Sequence, residues 1–190
     1  GAHWAVRRGY GTEADLARIE ERGRMAGAEP ERVSERALQR GQHEVGSLGS
    51  GNHFLEVDVV DRIDHPEAAE AMGLRLGTLA VIIHTGSRGF GHQVCTDAIH
   101  RMQTAMRKYG IVLPDKQLCC APIRSPEGQE YLGAMRAAVN FAFANRQVIA
   151  ARTREEFRKV LGGDDRSLGL DTVYEVAHNI AKMEEHEVAP

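Results

Sequence analysis

Three short polar stretches of this chain each set a histidine among groups that handle phosphate. They are Gly49-Ser50-Gly51-Asn52-His53-Phe54-Leu55-Glu56, His84-Thr85-Gly86-Ser87-Arg88-Gly89-Phe90-Gly91 and Ala177-His178-Asn179-Ile180-Ala181-Lys182. Imidazole is a ligand for zinc or manganese. The glycine backbone, amide, hydroxyl and guanidinium groups around it can bind phosphate oxygens. One such motif would be commonplace, but three predict a metal-assisted site acting on a phosphorylated substrate. His53 lies 31 residues before His84, and His84 lies 94 before His178, so only the tertiary fold can unite them. Each taken singly reads as an ordinary histidine hydrogen-bonded at a strand end. The shared polar company favours a site for these three; His3, His43, His65, His92, His100 and His186 lack it.

The neighbours of the histidines leave alternatives open. In an extended segment Asn52, Phe54 and Glu56 share one face and His53 points to the other, unless the glycine loop bends the start. Glu56 can serve a second metal-linked group or be a solvated strand carboxylate. Gly86 to Gly91 resembles an anion nest: glycine N–H groups, a Ser87 donor, and an Arg88 fork suited to bidentate phosphate contact. It is neither a Walker nor a Rossmann motif. Asn140-Phe141-Ala142-Phe143-Ala144-Asn145-Arg146 sits in an alanine-rich helical pattern, where the phenylalanines read as core and Arg146 either lines a pocket or snorkels. Cys95 reads as a small buried hydrophobe, and Cys119-Cys120 as structural. The three cysteines form no CxxC pair and suggest no disulfide framework.

The elements that must position these groups follow from pattern. Helices are expected over Thr12 to Glu21, where Thr12 and Asp15 have N-cap spacing, and over Pro30 to Gln39. Both read as surface cover within a charged, glycine-punctuated first 45 residues. Asn52 to Val60 alternates as a strand, and Thr78 to Ile83 is a continuous apolar run of strand length. Glycines before the first strand allow close backbone approach to a ligand. Pro66 to Met72, His92 to Tyr109 and Gly128 to Leu161 read as helices, and Pro114 to Pro126 as a loop. Thr172 to Ala177 reads as a third strand, with a helical segment after His178. Without regular βα alternation, the fold class is α+β: a mixed or antiparallel sheet whose strand ends gather the histidines, flanked by helices.

The 190 residues are 42% hydrophobic and 27% charged, enough for a core, with a formal net charge of −3. A strongly basic nucleic-acid footprint is absent, although Arg88 with Arg101, Arg107 and Lys108 can act as a local cluster. No apolar run is long enough to span a bilayer and no signal peptide is visible. With three unpaired cysteines, a reducing cytoplasm is the expected compartment.

Residues 49–56, His84 to Val94 and Val176 to Glu184 resemble, in order and spacing, the central region of the RtcB family of RNA-splicing ligases. The likeness extends to Arg7–Gly23, Lys108–Pro114, Ser125–Gly128 and Asn140–Arg146. It implies that residues 1–190 are the central part of a single RtcB-like catalytic domain. It also implies ligation of RNA 2′,3′-cyclic phosphate or 3′-phosphate ends to 5′-hydroxyl ends, using GTP and two manganese ions through a guanylylated histidine. By position, His53, His84 and His178 match metal ligands. Asn52, His53, Phe54, Leu55, Glu56, His178 and Asn179 match GTP-contacting segments, and Arg88 matches an arginine on the RNA phosphate. An archease-type activator is a further implied partner. The family's Asp-x-Gly-Cys-Gly metal motif is missing, and its nucleophilic histidine falls beyond Pro190, so this fragment alone is expected to be inactive. A metal-dependent phosphohydrolase and a non-catalytic paralogue binding GTP or RNA ends are the competing readings.

Overall fold

A computed structural model describes residues 1–115 and 118–188. In chain order the elements are α1 (Ala2–Val6), α2 (Glu13–Leu16), α3 (Glu35–Gly41), β1 (Phe54–Val59), α4 (Pro66–Ala71), β2 (Leu79–His84), α5 (Arg88–Tyr109), α6 (Pro126–Leu161) and α7 (Asp165–Leu168), with 3-10 turns at Glu20–Gly23 and Pro30–Arg32. Helices with a small antiparallel sheet make this an α+β fold. Of the expected Pro114 to Pro126 loop, residues 116 and 117 lie outside the described residues.

The spine is α6. Ser125 caps it by accepting the Gly128 N–H at 3.1 Å, and Pro126 occupies the first turn, where its missing N–H costs nothing. Arg158 and Lys159 oppose the dipole in the last turn before Gly162 stops the helix. At 1.5 Å per residue its 36 residues run about 54 Å. Two of its faces are apolar. Met135, Val139 and Phe143, spaced by four, pack on Ala2, Leu16, Ile19 and Met25. Ala134 and Ala138 pack on Val33, Ala37, Phe90 and Val94. Phe90 also stacks on Phe141, ring centroids 5.0 Å apart.

The first 45 residues are therefore more than surface cover. Trp4 and Leu38 are exposed, but Ala2, Leu16, Ile19, Met25, Val33 and Ala37 are buried in the two clusters that α6 shares, and Asn140 pins Met25 by accepting its N–H at 3.2 Å and donating to its carbonyl at 2.8 Å. The expected Thr12–Glu21 helix is broken: α2 stops at Leu16, and Glu21 and Arg22 take left-handed backbone angles.

β1 and β2 pair antiparallel with Phe54 opposite His84 and Val59 opposite Leu79. The third expected strand does not form; Thr172 to Ala177 offers only one bridge, Glu175 to Ile19. Its β-branched pattern favours extension, but the segment runs beside the irregular turn after α2, which has no strand edge to pair with. Nor is the stretch after His178 helical. α5 starts at Arg88, four residues earlier than expected, so much of the Gly86–Gly91 stretch is a helix start and not a loop. Cys95 is exposed on α5, not buried, while Cys119 and Cys120 are half-buried. Among the described residues no helix is long and apolar enough to cross a membrane.

Candidate functional site

Register does the first part of the assembly. Because His84 ends β2 opposite Phe54, the first residue of β1, the preceding His53 arrives beside His84. The Phe54 and His84 rings meet edge-on at 5.0 Å, and those of His53 and His84 at 5.9 Å. His178 comes from the irregular segment after α7: its Nε2 lies 3.0 Å from His84 Nε2, ring centroids 5.3 Å apart. The three imidazoles thus converge, His53 and His84 half-buried and His178 exposed.

Arg88 joins them. It opens α5 with φ at 56°, a left-handed angle uncommon for a side-chain-bearing residue, and its Nη1 donates to His53 Nδ1 at 2.6 Å. A guanidinium is always a donor, so a neutral His53 carries its proton on Nε2. Burial, then the charge of Arg88, then His84, holds the His53 pKa below its ordinary value. Gly49 makes room for this arrangement. At φ 111° it bears no Cβ, and one placed there would lie 2.0 Å from Arg88 Nη1 and 2.1 Å from Cζ. The glycine loop admits close approach as expected, but what approaches is the protein's own arginine. Among the described residues Arg88 Nε is buried without a hydrogen-bond partner.

The anion-nest reading meets competition inside the fold. Gly89 N–H donates to Glu44 at 2.6 Å, so a carboxylate of the protein already occupies that donor at the α5 N-terminus. Gly91 and the nearby Gly41 serve packing: a Cβ on Gly41 would lie 2.9 Å from Phe90, and one on Gly91 would overlap Ser87 Oγ, whereas one on Gly86 would meet nothing within 4 Å.

Sequence reading left the roles of Asn145 and Arg146 open and overlooked Glu175. Asn145, fully buried, accepts from Gly46 N at 2.6 Å and Ser47 N at 3.1 Å, and donates to Ser47 O at 3.1 Å and Gly86 O at 3.0 Å. Arg146 donates through Nη1 to Thr85 O at 3.0 Å and through Nε to Glu175 Oε1 at 2.8 Å, with Nη2 2.8 Å from the same oxygen. Burial pushes the Glu175 carboxyl above its usual range, and Arg146 opposes that rise. Thr85 Oγ1 donates to Leu48 O at 2.6 Å, tying the two motif loops together. The only sequence signal for these partners was polar side chains set in an alanine-rich helix.

Asn52, Glu56 and Asn179 are exposed and join none of these contacts, and Leu55 is half-buried on β1. Among the described residues no three His, Cys, Asp or Glu side chains are placed to hold an ion by themselves. Two are well disposed. Nitrogens each about 2.0–2.1 Å from one tetrahedral ion stand roughly 3.3 Å apart, close to the 3.0 Å between His84 and His178 Nε2. His53 is the near third, with Nδ1 engaged by Arg88. The donor set fits two nitrogen ligands of a metal site needing further ligands from elsewhere.

Comparison with known proteins bears on this arrangement. The family described as tRNA-splicing ligase RtcB matches residues 1–189. The tRNA-splicing ligase RtcB of Pyrococcus horikoshii is 59% identical over 189 residues, covering 99% of this chain and 22% of that protein. Its Archaeoglobus fulgidus counterpart is 54% identical over 188 residues, 99% of this chain and 39% of the relative. The RNA-splicing ligase RtcB of Mycobacterium tuberculosis is 53% identical over 188 residues, 99% and 42% respectively. The chain thus spans less than half the length of these relatives.

Proposed function

The chain belongs to the tRNA-splicing ligase RtcB family, and from that premise we propose that the full-length protein carrying it is an RNA ligase. It would join RNA 3′-phosphate or 2′,3′-cyclic phosphate ends to 5′-hydroxyl ends, with GTP and manganese, in the cytoplasm. The observation that carries this reading is the convergence of His53, His84 and His178 beside Arg88.

His84 and His178 would hold manganese through Nε2, with His53 as a third ligand. Bound manganese would supply charge neutralisation to the phosphates. Arg88 offers its fork of donors to the RNA phosphate. While Nη1 donates to His53 Nδ1, that imidazole keeps its proton on Nε2; engagement of Arg88 by phosphate frees the ring. The segments Asn52 to Glu56 and His178-Asn179 would face GTP, the side chains of Asn52, Glu56 and Asn179 being exposed. The nucleophilic histidine that takes GMP would come from outside this chain, and an archease-type protein would serve as activator.

The test incubates full-length protein with labelled GTP, Mn²⁺ and RNA halves bearing 3′-phosphate and 5′-hydroxyl ends. Joined RNA and a labelled enzyme–GMP adduct are expected. His84→Ala should abolish the adduct. Arg88→Ala should leave it largely intact and slow transfer to RNA about 10- to 100-fold, the worth of one charge-assisted contact of about 1.5–3 kcal/mol. Phosphate release without nucleotide would instead identify a phosphohydrolase. Binding of GTP or RNA ends without turnover would identify a non-catalytic paralogue.

A further inference from the structure

Arg146 bridges two segments that no regular pairing joins. One is the end of β2, through the carbonyl of Thr85, next to His84; the other is Glu175, three residues before His178. The second segment needs such a hold. It has no strand partner; its backbone touches the body through Glu175 N–H to Arg18 O at 3.0 Å and Glu20 N–H to Glu175 O at 2.8 Å, with Leu170 O accepting from Arg154 at 2.8 Å before it and Ala181 N–H reaching Met135 Sδ at 3.4 Å after His178. Ala177 N–H adds a bond to Glu20 at 2.8 Å. These contacts fix its distance from the turn after α2, and Arg146 fixes its distance from His84.

We propose that Arg146 is a positioning residue for the histidine centre, holding His84 and His178 at a ligand-pair separation through Thr85 and Glu175. This rests on the metal-binding reading above. The donor geometry explains why an arginine stands there. Two guanidinium nitrogens donate at once, Nη1 to a carbonyl and Nε to a carboxylate, with Nη2 at ion-pair distance from that carboxylate but without a hydrogen bond of its own among the described residues, and one lysine ammonium cannot span both. The side chain sits over Phe143, 5.4 Å from the ring centroid, so its plane is fixed from beneath by a fully buried residue.

A rival explanation is that the buried pair only stabilises the fold. The same helix carries a control: Arg154 forms a comparably buried pair with Asp15, at 2.7 Å, and also holds Leu170 O and Thr172 Oγ1. It touches nothing adjacent to a site histidine.

The experiment uses full-length wild type, Arg146→Lys, Arg154→Lys and His84→Ala. Mn²⁺ affinity is read from the free-ion paramagnetic resonance signal, Co²⁺ coordination from its visible bands, and stability from thermal unfolding of the metal-free proteins. Arg146→Lys should weaken Mn²⁺ binding about 10- to 100-fold, as loss of an outer support does, and shift the Co²⁺ bands. Arg154→Lys should lose similar thermal stability yet keep Mn²⁺ affinity within about twofold. Unchanged metal affinity in Arg146→Lys, or equal loss in Arg154→Lys, overturns the proposal. If His84→Ala binds Mn²⁺ as wild type does, the metal reading itself has failed and this inference falls with it. If His84→Ala loses the metal and Arg146→Lys does not, only the positioning role is refuted. Should Arg146→Lys fail to fold, Glu175→Gln removes the charge while keeping the shape. It must then weaken Mn²⁺ binding in the same direction, and an unchanged affinity overturns the proposal.

Discussion

Replacing Gly49 by alanine asks whether one empty backbone position is what holds Arg88 against His53. The new Cβ would stand 2.0 Å from Nη1 and 2.1 Å from Cζ. Apolar contact needs about 3.5 Å, so the guanidinium must retreat by about 1.5 Å. That carries its 2.6 Å bond to His53 out of hydrogen-bonding range. Backbone strain at φ 111° adds about 1–3 kcal/mol for a residue with a side chain. Gly51→Ala is the matched comparison: φ is 77° with nothing within 4 Å, so strain of about 1–2 kcal/mol acts alone. On the proposed ligase reading, full-length Gly49→Ala should lose more stability and behave like Arg88→Ala, with GMP adduct intact and RNA transfer slowed about 10- to 100-fold. Gly51→Ala should keep the wild-type ratio of the two steps. In the metal-free protein the His53 titration, read by NMR, should move up in Gly49→Ala as the arginine's charge withdraws. If the two alanine variants match in stability, step ratio and His53 titration, Gly49 does not seat Arg88 and the reasoning is wrong.

Acid should expose the clamp on Asp15. Burial alone would raise that carboxyl, but bonds from Arg154, Thr172 and the Thr12 N–H outweigh it and hold the pKa at about 2. A depressed carboxylate stabilises the fold above its ordinary pKa near 4, and that contribution disappears as pH falls toward 2. The unfolding free energy of wild type should exceed that of Asp15→Asn by about 2 kcal/mol at neutral pH, the gap closing between about pH 4 and pH 2 in denaturant titrations. Phe90→Ala removes a ring stacked on Phe141 and packed on Gly41, so chemical denaturation should show a loss of about 3–5 kcal/mol. Asn145→Ala strands the N–H groups of Gly46 and Ser47 and two carbonyls. Even with water reaching some of them, at least 2 kcal/mol should be lost, with faster exchange of the Gly46 and Ser47 amides.

Much of this architecture was legible because it is local. Alternation gave β1, an apolar run gave β2, and a long helical pattern gave α6. The three histidine motifs could be named because composition and spacing mark them. What stayed hidden depends on partners far along the chain. Thr172 to Ala177 has a strand's pattern, but its neighbour is an irregular turn more than 150 residues earlier, which no periodicity reveals. The burial of Ala2 and Met25 rests on a helix over 100 residues away. Cys95 looked like a core residue because small sulfur side chains usually are, yet α5 turns it outward. The Arg146–Glu175 pair is invisible for a similar reason: opposite charges 29 residues apart have many possible partners until α6 fixes one face.

The irregular path of residues 170–182 has a kinetic consequence. His53 and His84 arrive together when a compact hairpin zips, but His178 must cross 94 residues of intervening chain to meet His84. Loop-closure entropy makes that a later event, and few regular backbone bonds hold it once made. The histidine triangle therefore has a slow corner: two vertices persist through partial opening while the third detaches. Amide hydrogen exchange should find residues 172–180 opening well before α6 and the hairpin, so that His178 parts from His84 by local opening and not by global unfolding.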